Sequence, residues 1–238
     1  MSVALSSLIC VSNAQCHGAE LLVAAASDLA GLHSELIPEF QKESKTKISF
    51  TFGASGQLAL QIEQGAPYDL FLSANEEFVL RLAAKKIIDS KSVAGFAKGR
   101  LGLWAPARSI KDFEDLLRPE FRHIAIANPA HAPYGMAAKK ALETNGIYQK
   151  VQARLVYGEN VRQALQFAET GNADAVIGSW SFLINKPGAV LVPRALHDEI
   201  KQTLGVVKGA RNEEAAREFA AWLLGPKAKA VLVRAGFY

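Results

Sequence analysis

Cysteine is nearly absent. The 238-residue chain has two, Cys10 and Cys16, and both fall in or beside an N-terminal stretch that reads as a secretion signal. A body without cysteine excludes a disulfide framework and a thiolate metal site. No His pair or Cys pair has ligand spacing, so no direct metal site is expected. Long hydrophobic runs are missing too. The apolar stretch Val3 to Val11 is too short to span a bilayer, and no later one is long enough. Basic residues form no block or stripe: 27 Lys and Arg are scattered among 23 Asp and Glu, for a formal net charge of +4. Aromatics are not interleaved with them, which argues against nucleic-acid binding. The mild positive balance favours the approach of an anion.

What is present begins with the leader. Ser12-Asn13-Ala14 follows the apolar run and supplies a small-x-small cleavage pattern, with Ala19 as the alternative cut. The run has no Lys or Arg before it. Residues 1–19 are therefore expected to be a signal peptide and the mature chain an exported, soluble protein. Cys16 as a lipid anchor is the second option, although Asn13-Ala14-Gln15 matches a lipoprotein box poorly.

The body is half hydrophobic and 21% charged, a composition that buries a substantial core. Its length suits one large domain or two lobes. Strand and helix patterns alternate from Glu20 onward. Strands are expected at Leu21–Ala26, Lys47–Phe52, Asp69–Leu72, Leu101–Ala105, Ile124–Ala127, Arg154–Tyr157, Ala175–Gly178, Val190–Val192 and Leu204–Val207. Helical spacing joins Leu29, Leu32, Leu36, Ile37 and Phe40. Further helices are expected at Gln57–Gln64, Ile110–Leu117, Gly135–Asn145, Val161–Glu169, Ser179–Ile184, Glu213–Leu224 and Pro226–Ala235. Ser73-Ala74-Asn75-Glu76 reads as a capping box for a helix carrying Phe78 and Leu82. This alternation predicts an α/β fold of mainly parallel sheets flanked by helices. Crossovers near Lys98–Leu103 and Thr203–Lys208 would divide it into one lobe of 20–100 plus 205–238 and another of 101–204.

Four strand-to-helix junctions carry the chemistry: Ala24-Ala25-Ala26-Ser27-Asp28, Phe52-Gly53-Ala54-Ser55-Gly56, Asn128-Pro129 through Pro133-Tyr134-Gly135, and Gly158-Glu159-Asn160-Val161. None contains Lys or Arg. Helix starts expose unpaired backbone N–H groups, and in α/β sheets ligands bind beyond the carboxyl ends of the strands. Two early and two late junctions facing one cleft would hold an anion with neutral donors. Each residue also has an ordinary role: Ser27 and Ser55 as helix caps, Tyr134 as lobe wall, Val161 as core. Asp28 and Glu159 are expected to turn their carboxylates away from the cleft, and His131 to be a surface-loop residue.

These segments resemble the molybdate-binding receptors of ABC transporters, among the two-lobed periplasmic binding proteins. The likeness runs from about Glu20 to Phe237. It is carried by Ala24 to Leu29, Gly53 to Leu58 with Gln61 to Asp69, Asn128 to Gly135, Asn160 to Leu165, and Asn172 to Ala175. The resemblance implies that Ser27 and Ser55 each give a hydroxyl and an amide to the oxyanion, and that Tyr134 and Val161 give backbone amides. Asp28, Gly56 and Ser179 are secondary candidates, Ser179 because Gly178-Ser179-Trp180 stands where some members place a tyrosine. The resemblance further implies no catalysis and no cofactor, molybdate or tungstate as ligand, a membrane permease as partner, and a monomer. Molybdenum would be held only through the oxygens of the oxyanion. A sulfate-like anion is the alternative ligand. A serine hydrolase is the alternative class, but Gly53-Ala54-Ser55-Gly56-Gln57 lacks the final glycine of a nucleophile elbow.

Overall fold

Strands buried on both faces organise the molecule. The computed structural model describes residues 20–238; the expected signal segment, with Cys10 and Cys16, lies outside them. The chain runs β1 (Glu20–Ala26), a 3₁₀ turn (Ser27–Leu29), α1 (His33–Gln41), β2 (Lys47–Gly53), α2 (Ser55–Glu63), β3 (Leu70–Ser73), α3 (Glu76–Ala84) and β4 (Ala94–Gly99). There follow β5 (Leu101–Trp104), β6 (Ile124–Ala127), α4 (Pro133–Thr144), α5 (Tyr148–Val151), β7 (Leu155–Gly158), α6 (Val161–Glu169), β8 (Ala175–Ser179), α7 (Trp180–Leu183) and β9 (Val190–Leu191). It closes with β10 (Ile200–Val206), α8 (Glu213–Leu223) and α9 (Pro226–Arg234).

Two five-stranded sheets result, ordered β2-β1-β3-β10-β4 and β7-β6-β8-β5-β9. Both are mixed, where mainly parallel sheets were expected. In each, three strands run parallel and two pair antiparallel. The reason is the crossing of the chain. β5 and β10 arrive from the other lobe and enter their sheets against the parallel trio. The first crossing is the single residue between Gly99 and Leu101. The return falls between Leu191 and Ile200, upstream of the expected Thr203–Lys208, because all of β10 belongs to the first sheet.

Side-chain alternation explains the layers. On β1, Leu21, Val23 and Ala25 join a core with Phe40 of α1, Phe219 of α8 and Val231 of α9, while Ala24 joins Leu58, Ile62 and Leu82 on the opposite face. On β6, Ile124 and Ile126 face the core of α4, and Ala125 faces α6. Strands covered on both sides read as continuous apolar runs. Their register also aligns the junctions. Ala26 pairs with Gly53, and Ala127 with Gly158, so in each lobe two turns leave the sheet side by side.

Two local expectations differ. Asn75, not Ser73, caps α3: its side chain accepts from the Glu77 amide at 2.9 Å, while Ser73 is engaged with the Asn75 backbone. Ile110–Leu117 forms only a 3₁₀ turn at Glu114–Leu117. There Asp112 accepts from the Glu114 and Asp115 amides and Asp115 from the Lys111 amide, side-chain bonds that compete with a regular helix. β4 and α5 had no expected counterpart.

Gly135 in the first turn of α4 lets the helix sit on the end of β6; a Cβ there would lie 2.1 Å from the Ala127 carbonyl oxygen. Gly135→Ala should cost about 1–3 kcal/mol by overpacking. Urea denaturation would show it, and an unchanged midpoint would mean that α4 has room to shift.

Candidate functional site

All four junctions meet between the lobes. Ser27 and Asp28 follow β1, Ser55 opens α2, Tyr134 is the second residue of α4, and Val161 opens α6. These five residues line one cavity, with about 10 Å³ open to the centre of a water-sized sphere. That is the scale of a single water, far too small for a sugar or a peptide; a four-oxygen anion requires the walls to part slightly. No Lys or Arg lines it.

Helix geometry aims the donors. The amides of Ser55, Tyr134 and Val161 have no acceptor among the described residues, as expected for the first turn of a helix. Pro133 opens α4 with no N–H to place, which leaves the Tyr134 amide as its first donor. At α6, Asn160 is the N-cap as expected: its Oδ1 takes the Arg162 amide at 3.0 Å and the Gln163 amide at 3.1 Å. The Val161 amide remains free. The Ser55 hydroxyl accepts from the Ala74 amide at 3.0 Å, so its own proton is available to the cavity. The positive ends of three helix dipoles meet at the cavity from the two lobes. Such an arrangement can stabilise a compact anion without a formal positive charge.

The secondary candidates fare differently. Gly56 does not line the cavity, and its amide donates across the cleft to the His131 carbonyl at 2.9 Å. Ser179 is buried but also outside the lining; its hydroxyl is 2.8 Å from that of Ser181. The two acids differ: the Glu159 carboxylate is exposed at the rim and outside the cavity lining, as expected, while Asp28 is buried between the lobes. Glu159 accepts from Gln57 Nε2 of the other lobe at 2.8 Å, and the His131 ring donates to the Glu159 carbonyl at 3.0 Å. His131, expected on a surface loop, thus helps to fasten the rim. Asp28 reaches across to Tyr134, whose hydroxyl donates to Oδ2 at 2.9 Å, while Gln202 Nε2 donates to the same oxygen at 2.7 Å.

Comparison with known proteins agrees with this layout. The profile of the family described as bacterial extracellular solute-binding protein matches residues 21–238. The chain belongs to that family. The molybdate-binding protein ModA of Rhodobacter capsulatus is 32% identical over 222 residues, covering 92% of this chain and 88% of its own. The periplasmic molybdate-binding protein of Azotobacter vinelandii superposes with a TM-score of 0.87 at 30% identity, covering 92% of this chain and 98% of its own. The sulfate-binding protein SubI of Mycobacterium tuberculosis shares the fold alone, with a TM-score of 0.75 at 18% identity over 92% of this chain and 86% of its own.

Two residues of this solute-binding protein's site lay beyond motif reading. Gln202 is fully buried in β10 and meets Asp28 from 174 positions away in the chain; its polarity within an apolar strand was the available signal. Gly99 is required by packing, since a Cβ there would fall 2.3 Å from the Tyr134 hydroxyl. Electrostatics follows from the burial. Burial pushes the Asp28 carboxyl up to about 6, against the opposing effect of its bonds from Tyr134 and Gln202. Burial, and then the charge on Asp28, hold the Tyr134 hydroxyl well above the usual range.

A carboxyl with a raised folded-state pKa binds its proton more tightly folded than unfolded. Its ionisation therefore erodes stability as pH rises from about 4 to about 6, and the loss persists above. Asp28→Asn should stabilise the free protein at pH 7.5 by up to about 3 kcal/mol and make little difference at pH 4. Thermal unfolding at the two pH values measures this. Equal effects at both would place the cause in packing rather than charge.

Proposed function

We propose that this chain is the extracytoplasmic receptor of an ABC importer, capturing molybdate, and tungstate with it, and delivering it as a monomer to a membrane permease. In this reading residues 1–19 are removed on export and the protein works in the periplasm. The observation that carries it is the convergence of orphan helix-start amides from both lobes on one small cavity without a cation. The molybdate-binding relatives, alike over nearly the whole chain, support the choice of anion.

The mechanism is capture by closure. A tetrahedral dianion offers four oxygens that only accept, and the site offers the Ser27 and Ser55 hydroxyls with amides of both junction pairs. Bonds from fixed donors to a charged acceptor are strong. A ligand oxygen that carries a proton would face a donor with a donor, and an anion of the wrong size would leave a buried amide unpaired. The bodies built on the two sheets close because the anion bonds to both of them only in the closed state. A hydrolase would need a base on Ser55. That hydroxyl instead meets the Ala74 amide, and no histidine ring bonds to it among the described residues.

Calorimetry of the mature chain against molybdate, tungstate, sulfate and phosphate tests the proposal. Tight molybdate and tungstate binding with weak sulfate binding is expected, and the reverse order would overturn the choice of anion. Ser55→Ala should weaken molybdate by about 1–3 kcal/mol. Val161→Pro deletes one amide at a position where proline suits the helix. It should cost a similar amount while leaving the circular dichroism unchanged; full affinity in this variant would remove Val161 from the shell.

A further inference from the structure

The donor cage leaves one group unexplained. Asp28 is among the residues around the cavity, and its carboxylate, directed to the Tyr134 hydroxyl and Gln202 beside it, only accepts when ionised. Its Oδ2 has the Tyr134 hydroxyl and Gln202 Nε2; the Asp28 and Leu29 amides lie close enough to act on the carboxyl, but among the described residues Oδ1 has no hydrogen-bond partner, and neither has Gln202 Oε1. Both orphans are buried acceptors, so this corner is short of one donor proton.

The surroundings supply no cation to replace it. α4 presents Tyr134. β10 presents neutral Gln202, and its Lys201 is paired with Glu76. α7 has no charged residue, and its Ser181 donates to the Asp28 carbonyl. α6 presents Val161, with Arg162 at 4.0 Å from Glu169. β2 adjoins through its Gly53 end, while Lys47 lies at the other end of the strand. Behind Asp28, Glu35 of α1 and Arg234 of α9 line a neighbouring pocket and pair with each other at 3.3 Å.

We propose that Asp28 takes up one proton as the oxyanion is enclosed, so that the closed receptor holds the anion together with a protonated carboxyl. This rests on the receptor reading above. A dianion held beside the turn that carries Asp28 disfavours a second buried negative charge nearby. By reciprocity, an ionised Asp28 weakens the hold on the anion. The proton comes from the buffer or solvent and forms an O–H bond at Oδ1; no electrons are transferred. It supplies the donor that the corner lacks, and burial already biases the carboxyl toward it. Asp28 thereby sets how affinity depends on pH, while the amides set which anion fits.

The test is titration of the mature chain with sodium molybdate from pH 5 to pH 8, in buffers of different ionisation enthalpy. Close to one proton should be taken up per anion at pH 7–8. The Kd should be flat at the acid end and rise by up to about tenfold per pH unit once free Asp28 is ionised. In Asp28→Asn the proton uptake should vanish, and binding at pH 8 should be tighter than in the native chain. Tyr134→Phe keeps the backbone amide but strips the carboxylate of a donor, so the fall in affinity should move to higher pH. A purely structural Tyr134–Asp28 bond would leave that profile in place. Buffer-independent heats in the native chain would overturn the inference, as would an unchanged pH slope in Asp28→Asn. No molybdate binding at any pH would count against the receptor reading instead.

Discussion

Everything in this molecule turns on backbone amides that a helix cannot satisfy internally. Each helix leaves its first N–H groups without partners. In most settings water takes them. Here three helices, α2, α4 and α6, begin within the same small space and beyond the reach of bulk solvent. The fold concentrates an obligatory defect of helices into one place. Parallel strands make this possible, because they direct the starts of successive helices to the same edge of a sheet.

The cap residues decide which amides remain available. At α6, Asn160 takes the second and third amides of the helix and leaves the first. At α4, proline occupies the first position and has no amide to offer. At α2, no side chain caps the helix, and Ser55 instead uses its hydroxyl to receive the Ala74 amide. Three different local solutions leave the same result, one inward donor per helix. Asp28 is the counterweight: an acid buried beside a set of hydrogen-bond donors.

How much of this was readable depended on the range of the forces involved. Val161–Glu169 was found to the residue, because Asn160 caps it and its apolar positions recur at helical spacing. β1 and β6 were legible as short apolar runs, and β2 by its alternation and its β-branched and aromatic residues. β4 was not, since Gly95 and Gly99 lower its strand propensity and it is held by pairing with β10. The return crossing was placed late because Lys201, Gln202 and Thr203 interrupt the apolar pattern of β10. Ser27, Ser55, Tyr134 and Val161 could be named because each sits in a local junction motif. The bonds of Asp28 to Tyr134 and Gln202, and of Gly56 to His131, join residues from distant parts of the chain. No local pattern announces them.

The Gly56–His131 contact has a mechanical consequence. A Cβ on Gly56 would stand 2.8 Å from the His131 carbonyl oxygen, so backbone already touches backbone there. Backbone atoms have no rotamers to change and little compressibility to give. The rim is therefore a fixed stop as well as a fastening, and it sets the least width to which the cleft can shut. In the proposed receptor an anion below that width could not be gripped by further tightening, whatever side chains surround it. The lower limit of the gauge is cut in the main chain.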